Sequence, residues 1–409
     1  MTIELRPVPR EDLRRWLEAI ESASSSGVSD EYLQLIERTI ELERTIGAFD
    51  GGRLVGGGAA FSFEMTVPGG RSVRAAGVTN VGVMPTHRRR GILRQMMAHQ
   101  LADVRSRGEP VAILWASEGS IYQRFGYGLA TLAGTIDVAR DRTVFRVPSP
   151  DPPGAVRLVD RDEAAHLLPP IYDVVRVATP GFLQRSDDWW SNEVLSDPAF
   201  ARRGHDRKFF AVHERAGTPV AYVIYRVRQE WGDLGPLSQL TVTELIAIDA
   251  DARREMWRFV FGVDLIAHIK NRVGPPDEPL LLMVAEPRKL DLRLRDGLWL
   301  RVVDVPAALE QRGYAADGSA VLEIHDEFMP GAAGRFRIET ADGSARVTRT
   351  DEPADLELDA ADLAAVYLGA FTFAQLGRAG RTRELIPGAR ARVDALFATS
   401  VAPWSAQIF

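Results

Sequence analysis

The stretch that decides the reading is Val81–Met97, VGVMPTHRRRGILRQMM. Its first part sets Val81, Gly82 and Val83 in a β-like run that stops at Pro85, a residue with no N–H to give to a ladder. From Ile92 and Leu93 onward the apolar residues return at helical spacing. Arg88, Arg89, Arg90 and Gly91 lie at the junction, with Arg94 one turn on. A helix start leaves about four N–H groups without intrahelical partners and carries partial positive charge. Three guanidinium groups add to that field, and a glycine lets an anion approach the backbone, so the junction is a candidate anion site. The competing reading is a solvated basic helix start.

The 409 residues suggest about two to four domains. Hydrophobic residues at 45% and charged residues at 26% fit an ordinary soluble globular protein. No apolar run reaches about 18 residues, so no membrane span is expected. The start, MTIELRPVPREDLRR, lacks the basic head and apolar stretch of a signal peptide. With no cysteine, disulfides, thiolate–zinc sites and thiol catalysis are excluded, which fits a cytoplasmic protein. A net charge of −6 argues against a nucleic-acid partner and suits a cationic substrate.

The proline-rich VPSPDPPGAV (147–156) reads as a linker, and a second break follows the strand-like run LLLMVA near Pro287. Three domains are expected: 1–150, 151–289 and 290–409. In the first, EDLRRWLEAI and EYLQLIERTIELERTI read as helices, with Asp30 capping the second. A hairpin turning at Asp50-Gly51-Gly52 follows, then the strand GVTNVGV, the junction helix, the strand VAILWAS and a short helix SIYQRFGYG. The middle third repeats this order. FFAVHERAGTPVAYVIYRV matches the hairpin, and LTVTELIAIDADARREMWRFVFGVDLIAHI matches strand, loop and helix. Its loop, IDADARREM, has no glycine and two aspartates, Asp249 and Asp251, so the copy keeps the pattern and loses the anion loop. From Leu290 the alternation LDLRLRDGLWLRVVDV reads as a hairpin around Asp296-Gly297. Further strands and then the helices AADLAAVYLGA and FTFAQLGRAGR suggest an α+β domain with helices against one sheet face.

Strand, V-x-V-x-P, R-x-x-G, helix, strand, then SEGSIYQRFGYG resembles the GCN5-related N-acetyltransferase (GNAT) superfamily. PTHRRRGILRQMM, the degenerate second copy and ADLAAVYLGAFTFAQLGRAGR together resemble its enhanced-intracellular-survival (Eis) family over the whole chain. The resemblance implies an α+β protein of two tandem GNAT-like domains, the second degenerate, followed by a sterol-carrier-protein-like domain. It further implies a homohexamer that transfers acetyl from acetyl-coenzyme A to amines of aminoglycosides. Val81 and Val83 would pair with the pantetheine amides, and the loop Arg88–Arg94 would hold the pyrophosphate. Ser117 and Glu118 would lie beside the cofactor. One departure is visible: the usual R-x-x-G-x-G/A has a small third position, where this chain reads Arg88-Arg89-Arg90-Gly91-Ile92-Leu93.

Amine acetylation needs a deprotonated amine and a proton for the departing thiolate. Tyr122, a few residues beyond the second strand, is the candidate donor; packing beside Phe125 is its plain alternative. By resemblance the C-terminal carboxylate, here that of Phe409, is the base. The ending VAPWSAQIF is apolar and carries no acidic side chain. Ser117 lacks a G-x-S-x-G frame, which excludes a hydrolase elbow. GGRLVGGG lacks the Lys-Ser/Thr of a phosphate loop. The seven histidines show no ligand spacing, so no metal is expected. Asp30, Trp16 and Glu64 are weaker pocket candidates. Two other readings stand: acetylation of a peptide lysine or metabolite amine, and a lipid-binding or assembly protein with a vestigial catalytic fold.

Overall fold

A computed structural model describes residues 3–147 and 154–409. The chain forms two units, Met1–Thr131 with Asp296–Pro403 and Gln407–Phe409, and Leu132–Arg295 with Trp404–Ala406. Most of the linker at 147–156 lies outside the described residues.

The first unit is built on β1 (Ile3–Arg6), β2 (Ile46–Asp50), β3 (Arg53–Val67), β4 (Arg71–Val83), β5 (Val111–Trp115), β6 (Gly128–Leu129) and β17 (Leu298–Val302). They make one sheet of order β1-β2-β3-β4-β5-β17-β6. The hairpin at Asp50-Gly51-Gly52 forms as its turn residues dictate. α1 (Leu13–Glu21), α2 (Asp30–Thr39), α3 (Ile92–Ser106) and α4 (Gly119–Tyr122) connect these strands. α1 turns Leu13, Trp16, Leu17 and Ile20 inward at helical spacing. α2 is capped by Ser29, whose side chain accepts from the Tyr32 N–H. Asp30, expected as that cap, is the first helical residue and pairs with Arg14 instead.

The second unit holds α5 (Arg161–Arg176), the short turns α6 (Asp187–Trp189) and α7 (Ala199–Arg202), then α8 (Ala250–Gly262) and α9 (Leu280–Met283). The strands of its sheet are β8 (Asp137–Ala139), β9 (Ala155–Val159), β10 (Phe209–Arg215), β11 (Thr218–Arg228), β14 (Gln239–Ala247) and β15 (His268–Asn271). Their order is β8-β15-β14-β11-β10-β9. β12 (Trp231–Gly232) and β13 (Gly235–Pro236) form a small hairpin, and β7 (Leu132–Thr135) pairs with β16 (Arg293–Asp296). The run LLLMVA, expected as a strand, contains the helical turn α9; so short an apolar run has no period to tell the two apart.

The expected hairpin at Asp296-Gly297 does not form. β16 pairs with β7, whereas β17 enters the seven-stranded sheet between β5 and β6. Gly297 and Leu298 donate their N–H groups to the Thr131 carbonyl and hydroxyl, at 3.0 and 2.7 Å, so the chain passes straight through. Sheet membership crosses the boundaries read at 150 and 289: β8 lies in the second sheet and β17 in the first.

The remaining strands, β18 (Gly318–His325), β19 (Gly334–Ala341), β20 (Ser344–Arg349), β21 (Leu356–Asp359) and β22 (Thr382–Glu384), form a sheet of order β20-β19-β18-β21-β22. α10 (Val305–Gln311), α11 (Ala360–Tyr367), α12 (Phe373–Arg378) and α13 (Ala389–Phe397) accompany it. All eight residues of α11 are buried, and the helix packs against β17, β6, β18 and β21.

Candidate active site

β4 and β5 run parallel and pair over Ala75–Gly77 with Val111–Ile113. Beyond Gly77 they separate. The cause is a β-bulge: between the pairs Gly57↔Gly82 and Ala59↔Thr79, two residues of β4 oppose one of β3. Asn80, one of the two, has φ +51°. Val81 is the other. Met84 gives its N–H to the Val55 carbonyl at 2.8 Å, so the Val83 amide, one residue back, faces the other edge. That edge is the inner wall of a fork whose opposite wall is β5. An extended amide-bearing chain can add to such a wall by main-chain hydrogen bonds.

At the end of β4, residues 84–91 lead into α3. Arg89 and Gly91 both have left-handed backbone, φ +61° and +75°. Gly91 is the N-cap, makes no side-chain cap, and has open space where a Cβ would project. The first-turn N–H groups of Ile92, Leu93 and Arg94 therefore face a region that no capping side chain fills, the arrangement of an anion cradle. The arginines are not equivalent. Arg88 donates to the Ala23 carbonyl at 2.6 Å, Arg90 lies 4.0 Å from Asp50, and the Arg94 guanidinium lies over the Phe328 ring at 5.0 Å. The fork and the cradle together fit the amides and the pyrophosphate of an acyl-coenzyme A.

The end of the chain packs beside this fork. The Trp115 indole donates to the Gln407 carbonyl at 2.8 Å. The Phe409 ring packs edge-on against Phe63, with centroids 4.9 Å apart. A Cβ on Gly77 would stand 3.1 Å from the Phe409 ring and 2.3 Å from Phe63. Only glycine fits where β4 leaves β5, and the C-terminal residue is seated there. Ser117 and Glu118 are exposed just past β5, Glu118 at the N-cap of α4. Tyr122 closes that turn; it is buried, and burial pushes its phenol up to about 12. It is therefore neutral and proton-bearing throughout the ordinary pH range. Tyr127 packs edge-on against it at 5.9 Å.

The weaker candidates take structural roles. Trp16 is fully buried and donates to the Ile46 carbonyl, and Glu64 accepts from Ser72. His87 lies 3.4 Å from Asp50, and His99 is exposed. No cluster of three or more metal-ligating side chains occurs among the described residues. Sequence reading missed Phe63, Gly77 and Trp115. Their signal, alternation in FSFEM and the apolar runs GVTNVGV and VAILW, marks strands without marking which residue meets a distant chain end.

The second unit repeats the scheme with its helix end capped. β14 and β15 pair in parallel over Gln239–Val242 with His268–Asn271, and a register shift against β11 follows at once. Past that point Glu244 is buried, paired in two places with Arg185 at 3.0 and 2.6 Å and accepting from Tyr222. Only Ile248 and Asp249 separate β14 from α8. The Asp249 side chain accepts from the Ala252 N–H at 2.8 Å and pairs with Arg215. Slight burial opposes its ionisation, yet those partners hold its carboxyl below the usual range. The helix end is capped by the protein's own anion.

Comparison with known proteins agrees with this geometry. Residues 4–130 and 181–302 each match an acetyltransferase (GNAT) domain, and residues 305–406 match a sterol carrier protein domain. An uncharacterized N-acetyltransferase of Streptomyces avermitilis is 41% identical over 407 residues, 99% of each chain. The N-acetyltransferase Eis of Mycobacterium tuberculosis is 39% identical over 364 residues, 87% of this chain and 86% of that one. The crystal structure of Eis1 from Mycobacterium abscessus superposes with a TM-score of 0.85 at 34% identity, covering 99% and 100% of the two chains. The chain thus belongs to the Eis family of GNAT N-acetyltransferases.

Proposed function

We propose that this N-acetyltransferase transfers acetyl from acetyl-coenzyme A to amines of polycationic small molecules, aminoglycosides being the class in view. The observation that carries the reading is the fork between β4 and β5, with an open helix N-terminus at one end and Phe409 at the other. When bound, acetyl-coenzyme A supplies an activated acetyl group as its thioester. The Val81–Val83 edge would orient the pantetheine arm, and the first-turn amides of α3 with Arg88 to Arg94 would take the phosphates. The Phe409 carboxylate accepts the ammonium proton, directly or through water, and Tyr122 holds the proton that the leaving sulfur needs.

The substrate class is supported by charge. Between Arg15 and Arg38 the chain carries Glu18, Glu21, Asp30, Glu31 and Glu37 and no basic residue. This helical pair borders the bulge of β4, where the Tyr32 hydroxyl donates to Asn80 at 3.3 Å. In this reading, 1–150 holds the catalytic machinery, 151–289 is the inactive copy, and 290–409 brings the C-terminus to the fork. Assembly as a homohexamer belongs to the same reading; light scattering tests it.

The test is release of free coenzyme A from acetyl-coenzyme A with aminoglycosides, linear polyamines and a lysine peptide as acceptors. The reading expects turnover highest with aminoglycosides. Turnover confined to the lysine peptide would replace the substrate class, and no turnover with any amine would overturn the reading.

A further inference from the structure

Behind Tyr122 lies a buried polar group that the steps above leave unused. Tyr127 is completely buried, and its hydroxyl has no hydrogen-bond partner among the described residues. Leaving a buried hydroxyl unsatisfied costs roughly 1–3 kcal/mol, so such a group asks for an explanation. Its ring meets the Tyr122 ring edge-on at 5.9 Å. Its other neighbour is Arg301, delivered by β17 and fully buried. Arg301 is paired with Asp326, which also accepts from the N–H groups of Phe328 and Met329 at 3.1 and 2.8 Å. Gly126 has φ +80°, and a Cβ there would fall 1.9 Å from the Arg301 guanidinium. The turn that carries Tyr127 is thus moulded around a fixed positive charge.

We infer that Tyr127, backed by Arg301, is a positioning residue for the proton donor. Its hydroxyl hydrogen-bonds to the Tyr122 oxygen when that oxygen becomes a phenolate. The inference rests on the proposed acetyl transfer. In that step the C–N bond forms as the C–S bond breaks, and the C–S electron pair leaves on sulfur. Sulfur takes the Tyr122 proton, and the proton shed by the amine reaches solvent through the Phe409 carboxylate. The Tyr122 oxygen then carries a negative charge inside a site whose burial opposes it. The Tyr127 O–H is a buried donor without a partner among the described residues, on a ring packed against that of Tyr122, and Arg301 favours negative charge at Tyr127; burial pushes the Tyr127 phenol up, with Arg301 opposing. Tyr122 regains a proton from solvent as products leave.

Tyr127→Phe separates this from a packing role. It removes only a hydroxyl with no hydrogen-bond partner among the described residues, so a packing role gives unchanged or improved thermal stability and unchanged turnover. The inference expects the same stability and the same affinity for acetyl-coenzyme A, with kcat reduced about tenfold, a fraction of the effect of a full acid–base group. A readout that needs no turnover is the ¹³Cζ resonance of Tyr122, assigned by its loss in Tyr122→Phe. The midpoint of its alkaline titration is expected to rise in Tyr127→Phe. A folded Tyr127→Phe protein with parental kcat and an unmoved Tyr122 titration would overturn the inference. If the parent acetylates no amine, the proposed function fails, while the resonance still decides whether the two phenols are coupled.

Discussion

The two GNAT-like regions share a plan down to the bulge that parts their central strands, yet they treat the space beyond it in opposite ways. In the first, β4 leaves β5 at Gly77, where the ring of Phe409 is seated. Eight residues then lead to a helix whose cap, Gly91, offers no side chain. In the second, Glu244 just beyond Val242 is locked in a buried pair with Arg185, the loop shrinks to two residues, and Asp249 occupies the helix end. Duplication preserves a fold because the fold needs only apolar spacing and bulge position. A ligand site needs vacancies, and a vacancy is lost whenever a side chain satisfies the same backbone groups.

The largest expected effects fall on the groups that only the first region possesses. Two glycines added after Phe409 move the terminal carboxylate off that residue, and kcat is expected to fall by ~10²–10⁴. Tyr122→Phe should match that loss, with thermal stability changed little. Full activity in the extended protein, measured by coenzyme A release on several amines, would move the base elsewhere, with Glu118 the next acid to examine.

Next comes the cap. Gly91→Asn and Gly91→Asp share nearly the same shape, and both residue types tolerate left-handed backbone better than most. Only the aspartate makes the first helix resemble the second. We expect Gly91→Asp to raise the KM for acetyl-coenzyme A at least tenfold beyond Gly91→Asn. Equal values would show that the phosphates do not lie at this helix start. In the second region, Asp249→Ala removes a cap and should cost about 1 kcal/mol of stability by denaturant unfolding, with kcat and KM unchanged.

The smallest effect is on pH dependence. The Tyr122 phenol is held up to about 12, whereas in the unfolded chain it ionises near 10. The unfolded state therefore releases its proton first. This contribution to stability is full below pH 10 and declines as pH rises through about 12. Turnover should accordingly show no loss of the Tyr122 proton between pH 8 and 10. A kcat falling tenfold across that interval, in a protein still folded by circular dichroism, would contradict Tyr122 as the donor.

Much of this contrast was legible in the sequence. RRRG against DADARREM already separates an open helix start from a capped one, because glycine and aspartate have opposite consequences at an N-cap. The first hairpin and the strands of the C-terminal sheet follow from alternation and turn residues. What was not legible depends on distant pairing. LRLRDGLWLRV reads as a hairpin by local chemistry, yet β17 finds its partners in β5 and β6, and tertiary pairing prevails over turn propensity. Ser29 and Asp30 are both good caps, and only geometry selects between them. Arg301 reads as part of the LRLRDGLWLRV alternation, and neither its partner Asp326 nor its place behind Tyr127 was legible.

The central claim is that one of the two copies, the first, binds the acetyl donor. Isothermal calorimetry of acetyl-coenzyme A against the full chain and against Gly91→Asp tests it most directly. The account predicts one site per chain in the parent and binding weakened at least tenfold in the folded variant. Two sites per chain, or undiminished binding by Gly91→Asp, would contradict it.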